Sequence, residues 1–250
     1  MPALWEELRR PLSPEHQVRS RFPLRQVTRA RACAQRALAL PEELDDDGPS
    51  WRLSPVQPAA ALPCFPGVSV KAGFVLRAYL YRSHAGGNAV VFAVPADDPV
   101  LVPTSFDDRP AHALESYLDA LEADGSPQSY LAVSLFAREV SELGAYWHGL
   151  NWSMKEVLGT DPFKGSSAKG GEFRRRDESG WEWVAPRPDE AMWLPTVDQD
   201  PTGTTVISLH IYDPVGSETL QREDDLYPAN GCRFQVKTEV LARGPGGLVF

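Results

Sequence analysis

The run Thr204-Thr-Val-Ile-Ser-Leu-His-Ile-Tyr212 determines the fold class, and Cys232-Arg-Phe-Gln-Val-Lys-Thr-Glu-Val-Leu241 has the same character. Apolar and β-branched residues dominate both runs and polar residues alternate with them, which predicts two β-strands. Earlier in the chain, residues 73–81 and 89–94 are apolar segments on either side of a Gly-Gly-Asn turn. That arrangement predicts a β-hairpin.

Between these strand signals the apolar residues follow the spacing of helices. Residues 111–121 predict one helix. A second helix is predicted over 127–149, because Ser126 is a favourable N-cap and Pro127 suits the first helical position. The two helices are expected to form an αα-hairpin. Residues 153–159, which open with a capping box, predict a short third helix.

Strands, then helices, then strands again predict an α+β fold, because the β-α alternation of a parallel sheet is missing. We expect a largely antiparallel sheet packed against a central αα-hairpin, with an N-terminal helical extension. The predicted domains are a basic helical extension with an acidic linker (1–48) and a single α+β domain (49–250). The extension contains a helix over 24–40, followed by an acidic segment rich in breakers.

Charge is distributed unevenly along the 250 residues. The net charge is -9, yet the first forty residues hold eight arginines against three glutamates. An acidic body repels phosphate backbones, so nucleic-acid binding is not expected except through this Arg-rich N-terminal arm. The alternative is that these arginines form a solvated helix face.

Composition also narrows the cellular context. No apolar run approaches the length of a membrane-spanning helix, and the N-terminus lacks the apolar region of a secretion signal. Membrane association is therefore not expected. The three cysteines, Cys33, Cys64 and Cys232, are far apart and predict neither a disulfide framework nor a metal knuckle. A cytoplasmic location is expected, without a metal site or a cofactor.

The densest group of reactive side chains lies at the end of the second predicted helix. Glu142, His148 and Lys155 are the candidate catalytic residues, since a carboxylate, an imidazole and an amine can share general acid-base work. The structural alternative places Arg138 and Glu142 in a surface pair and buries the tryptophans. Candidate ligand-binding residues are Tyr146, Trp147, Asn151, Trp152, Lys164 and Lys169.

Residues 160–180 are rich in glycine, serine and basic side chains and poor in apolar ones. A segment of this length without regular structure is typical of a lid, a binding loop or disorder. Its Lys164-Gly-Ser-Ser-Ala-Lys169-Gly-Gly run suits anion binding, but it lacks the order of a P-loop. We expect this loop to be the most mobile internal segment.

The stretch Asp224–Val236 resembles the late segment of ADP-ribosyltransferases, in which an acidic residue precedes an apolar-Pro-Gly turn and a strand. Tyr81-Arg82 is similar to the arginine that this family carries on an early strand. The resemblance implies a degenerate ADP-ribosyltransferase-like fold. Where the family has paired glutamates, this chain has Arg222 and Asp224.

The sequence therefore predicts an interaction protein or a small-ligand-binding protein, whose partner is a small anionic ligand or another protein. The alternative is an enzyme that acts on an anionic or nucleotide-like substrate under the 160–180 loop. No motif demonstrates catalysis.

Overall fold

The computed structural model describes residues 18–41, 50–83, 86–147, 149–164, 176–229 and 231–248. Within them, two α-helices and thirteen strands are found. The helices are α1 (Leu24–Ala37) and α2 (Pro127–Ser141). The strands are β1 (Val18–Arg21), β2 (Ser50–Leu53), β3 (Val68–Val70), β4 (Phe74–Ser83), β5 (Gly86–Pro95), β6 (Leu121–Ala123), β7 (Tyr146–Trp147), β8 (Glu156–Leu158), β9 (Glu182–Trp183), β10 (Thr196–Gln199), β11 (Thr205–Asp213), β12 (Thr219–Tyr227) and β13 (Gln235–Arg243).

The main sheet is antiparallel and has the strand order β1-β10-β11-β12-β13-β9. β11 lies at its centre: it pairs with β12 along its whole length, and on its other edge with β10 and then β8. Successive side chains of a strand point to opposite faces. Ile207, Leu209 and Ile211 are fully buried on the inner face, against the helices, whereas Ser208 and His210 lie on the outer face.

A second antiparallel sheet has the order β2-β4-β5-β7, and β3 pairs with β6. β4 and β5 form the hairpin that the sequence predicts. The mixed α+β class with antiparallel sheets is therefore confirmed. The strand predictions at the C-terminal end are also confirmed, since β11 and β13 cover most of the two runs.

Helix α2 begins as predicted: the Ser126 hydroxyl accepts a hydrogen bond from the Ser129 amide at 3.2 Å, and Pro127 follows it. The helix ends at Ser141 rather than at 149. Residues 131–137 are all buried, since this helix is enclosed by α1 and both sheets. The partner of α2 is thus α1.

Two predicted helices are wrong. Residues 111–121 contain only a 3-10 turn at Tyr117–Ala120, because Leu121 leaves it to pair with Val70 in the β3–β6 ladder. The αα-hairpin is therefore not formed. The capping-box segment 153–159 contains the end of a 3-10 turn at Trp152–Met154 and then strand β8, because pairing with β11 outweighs the local helix signal.

Residues 18–41 pack against the rest of the described structure. β1 pairs with β10, and Val27 and Ala34 of α1 are buried in the core. A disulfide between Cys33 and Cys64 joins α1 to the 3-10 turn Pro58–Cys64, although the cysteine spacing did not predict a disulfide framework. The predicted linker 42–49 lies outside the described residues.

Charged side chains are buried between the helices and the inner face of the main sheet. Arg138 donates to both Asp225 oxygens at 2.6 and 2.7 Å and to Glu223 at 2.8 Å. The structural alternative predicted a surface pair between Arg138 and Glu142. That pair is not formed, because the Arg138 side chain is only 10% exposed. Arg31 of α1 donates to Glu139 of α2 at 2.8 Å. These contacts fix the helices against β12.

Candidate functional site

A cavity of about 530 Å³ opens on the outer face of the main sheet, and we call it the outer-face pocket. Its floor comes from β1, β10, β11, β12 and β13, and the segment 185–192 forms its wall. The polar and charged lining residues are Arg19, Arg21, Arg187, Asp189, Thr196, Ser208, His210, Arg222 and Glu239.

Strand register brings these distant residues together. Arg21 is opposite Thr196, which is opposite Ser208 on β11. Two residues further along β11, His210 is opposite Arg222, which is opposite Glu239. Since neighbouring strands are about 4.8 Å apart, the rows cross the sheet as a continuous polar stripe. The alternation of Ser208 and His210 with apolar residues is what places both on this face.

His210 is the most unusual residue of the pocket floor. Its side chain is almost completely buried, and Nδ1 is enclosed without a hydrogen-bond partner. The imidazole lies 5.1 Å from the Trp193 ring, whose buried Nε1 also lacks a partner. Burial lowers the pKa of His210 to about 4; Arg222 adds to this effect and Asp224 opposes it. His210 is therefore neutral at pH 7.

Three of the four pocket arginines are held by carboxylates. Arg19 binds Asp198 through two hydrogen bonds of 2.7 and 2.9 Å. Arg222 lies 3.1 Å from both Asp224 and Glu239. Arg187 is bound in the same bidentate way by Asp161, at 2.8 and 2.9 Å, and it also donates to Glu178.

Arg21 differs from these three arginines. It makes no ion pair or side-chain hydrogen bond within the described part of the chain, and its side chain is exposed at the β1 end of the pocket. A guanidinium presents five donors, and it binds carboxylate or phosphate oxygens in a bidentate manner. Arg21 is thus a cation available to a ligand.

The predicted catalytic residues have other contacts. The Glu142 carboxylate accepts hydrogen bonds from the amides of Asn151 and Ser153, the latter at 2.7 Å. The Lys155 ammonium lies 3.1 Å from Asp213 and 3.5 Å from Glu223 and is largely buried. Glu142 and Lys155 line two different hollows, of about 310 and 360 Å³. His148 lies outside the described residues.

None of the predicted ligand-binding residues that the structure describes lines the outer-face pocket. Trp152 is buried; its Nε1 donates to Glu139 at 2.8 Å, and Arg31 lies 4.2 Å from the centre of its ring. Tyr146 donates its hydroxyl hydrogen to the Ser83 carbonyl. The remaining positions are Trp147, which pairs with Gly86 in β7, the exposed Lys164, 3.8 Å from Asp161, and Lys169, which lies outside the described residues.

No protein-family model, curated protein or solved structure matches this chain. The positions that carry the resemblance to ADP-ribosyltransferases lie in different sheets. Arg82 is on β4 of the second sheet, and its guanidinium lies 5.0 Å from the Tyr146 ring. Asp224 is on β12 of the main sheet, where it accepts a hydrogen bond from Ser208 at 2.7 Å.

Two further observations concern metals and membranes. Among the described residues, no three His, Cys, Asp or Glu side chains are placed to hold a metal ion together. In the same part of the chain, neither helix has the length and apolar character required to span a bilayer.

Proposed function

We propose that this protein binds a small anionic ligand in the outer-face pocket. The observation that carries the proposal is Arg21, which has no ion pair among the described residues and lines a cavity whose floor holds the buried, neutral His210. The donors of its guanidinium have no side-chain acceptor there, and a bound anion would supply one.

The chemistry of the two groups favours an anion. Arg21 supplies a permanent positive charge, and a hydrogen bond to a charged group contributes about 1.5–3 kcal/mol. The neutral imidazole of His210 has one N–H donor. Both donors suit a carboxylate or a phosphate oxygen.

Charge compensation favours a small anion over a nucleotide. The phosphates of a nucleotide carry several charges, whereas Arg19, Arg187 and Arg222 are already neutralised by their own carboxylates. Only one of the four lining arginines remains free in the described structure. A ligand with a single negative group matches it.

One observation supports the alternative that the protein is an enzyme. Arg187, which lines the pocket, binds Asp161 and Glu178, and these two residues lie near opposite ends of the 160–180 segment. The segment is thus attached beside the pocket, where a lid would have to be. A catalytic role would use His210, which is unprotonated at pH 7, as a general base. It would not use the predicted helix-end cluster.

Isothermal titration calorimetry with caproate, a small carboxylate, tests the binding proposal. Wild-type protein should bind caproate in the pocket, and Arg21→Gln should weaken the affinity at least tenfold, because one charged hydrogen bond is lost. Arg25→Gln is the matched control, since Arg25 is an exposed arginine of α1 outside the pocket. Equal caproate affinity in wild type and Arg21→Gln, or no binding of caproate or inorganic phosphate, would refute the proposal.

A further inference from the structure

The ionic side chains of the outer-face pocket leave one charge of each sign uncompensated. Arg19, Arg187 and Arg222 are paired, and Glu239 is the second partner of Arg222. Two lining residues remain, Arg21 on β1 and Asp189 in the wall segment.

Asp189 has an exposed carboxylate without a partner in the described structure. It precedes the 3-10 turn Glu190–Met192, yet its side chain does not cap that turn. It also forms no ion pair with Arg21, although both residues line the same cavity. A ligand that binds only Arg21 leaves this negative charge in the pocket without a partner.

The wall of the pocket between these charges is apolar. Pro186, Pro188 and Met192 contribute from the wall segment and Leu241 from β13. The Met192 side chain is 50% exposed, so its apolar surface is open to a ligand in the pocket. A ligand with apolar carbon atoms would remove this surface from water, a gain of about 25 cal/mol per Å² of buried area.

We propose that the ligand of the outer-face pocket is a zwitterion with an apolar body. Its anionic group pairs with Arg21, its ammonium group pairs with Asp189, and its carbon chain covers Met192 and the two prolines. Amino acids and short peptides belong to this chemical class. This inference rests on the proposed function of the same pocket, and it adds the positive group and its partner.

A dianion fits these charges less well. One negative group finds Arg21, but a second one finds no other free arginine among the described lining residues and shares the cavity with the uncompensated Asp189. Like charges within a few ångströms repel by about 1 kcal/mol or more even in high dielectric. The pocket therefore selects against phosphomonoesters in their doubly charged form.

Three titrants of matched chain length test the inference by calorimetry: caproate, hexylamine and ε-aminocaproate. Wild-type protein should bind ε-aminocaproate about fivefold more tightly than caproate, the size of effect expected for one exposed ion pair. Asp189→Asn should abolish this preference without weakening caproate binding, because the change removes a negative charge from the pocket. Glu182→Gln, which changes an exposed glutamate outside the pocket, should alter neither affinity.

The failures of the two proposals differ. If caproate binds in an Arg21-dependent manner but ε-aminocaproate binds no more tightly, the zwitterion inference is overturned and the anion site stands. If the preference for ε-aminocaproate survives Asp189→Asn, Asp189 is not the partner and the inference is likewise overturned. If caproate and ε-aminocaproate both fail to bind, or bind without need of Arg21, the proposed function fails and the inference fails with it.

Discussion

Replacing Arg138 by methionine should unfold the protein at much lower denaturant concentration, because the structure makes this arginine the partner of two buried carboxylates. The Arg138 side chain is 10% exposed, Asp225 is completely buried, and Glu223 is 9% exposed. Asp225 and Glu223 counteract the effect of burial and hold the pKa of Arg138 above its usual value. Arg138 therefore keeps its positive charge although it is buried.

The magnitude follows from what Arg138→Met leaves behind. Asp225 would keep only the Ser134 hydroxyl as a donor, and Glu223 would keep only Lys155 at 3.5 Å. Removing one partner of a buried ion pair costs about 3–5 kcal/mol, since the remaining charge is neither solvated nor paired. Arg138 also fixes β12, so its loss should disturb Arg222 on the opposite face of that strand.

Urea unfolding followed by tryptophan fluorescence measures this cost. If the free energy of unfolding depends on urea concentration with the same slope in wild type and in Arg138→Met, the two proteins expose similar surface on unfolding. The control Arg25→Met, at an exposed position of α1, should stay within about 0.5 kcal/mol of wild type. The double variant Arg138→Met/Asp225→Asn should be more stable than Arg138→Met, because it no longer buries an unpaired charge. A cost below about 1 kcal/mol, or no recovery in the double variant, would refute the role of this network.

Three further predictions concern acid stability, the disulfide and Lys155. The pKa of His210 is about 4 in the folded protein and 6.5 in the unfolded chain, so the unfolded chain binds more protons between these two pH values. As the pH falls from 7 to 4, the free energy of unfolding of wild type should therefore decrease by about 3 kcal/mol relative to that of His210→Gln, as measured by urea unfolding. Cys33→Ser should lower the free energy of unfolding by roughly 3–4 kcal/mol, as should reduction of the Cys33–Cys64 disulfide, because that bond closes a loop of 31 residues. Thiol titration of unfolded wild-type protein should find one free cysteine, Cys232, which is buried in the folded protein. Lys155→Met should lower the melting temperature without weakening caproate binding, because Lys155 pairs with Asp213 away from the pocket; a normal melting temperature with lost binding would restore it as a site residue.

Local sequence signals predicted the elements that depend on local contacts or that have a strongly periodic apolar pattern. Alternation identified β11, and the Ser126 cap with Pro127 located the start of α2. The helices predicted over 111–121 and 153–159 failed where a segment pairs with a distant strand. Leu121 pairs with Val70, and residues 156–158 pair with β11, which no local pattern can reveal.

The candidate site was harder to predict, because its residues come from separate strands. Arg21 belongs to an arm that composition assigned to an extension, and His210 was one of several scattered histidines. Only the register of β1, β10, β11 and β12 places them in one cavity. One signal was present in the sequence: Ser208 and His210 alternate with three apolar residues, so both must share the opposite face. Of the helix-end cluster, Glu142 and Lys155 line two different hollows, and His148 lies outside the described residues.

Histidine-selective NMR provides the most direct test of the central claim, that the outer-face pocket binds an anion. The His210 ring resonances should shift in a saturable manner as caproate is added, and the shift should need a much higher concentration in Arg21→Gln. His112 is an internal reference, because its exposed ring pairs with Asp98 and does not line the pocket. Saturable movement of His210 with a stationary His112 is the predicted result. A stationary His210 at caproate concentrations that saturate the calorimetric signal would contradict the account.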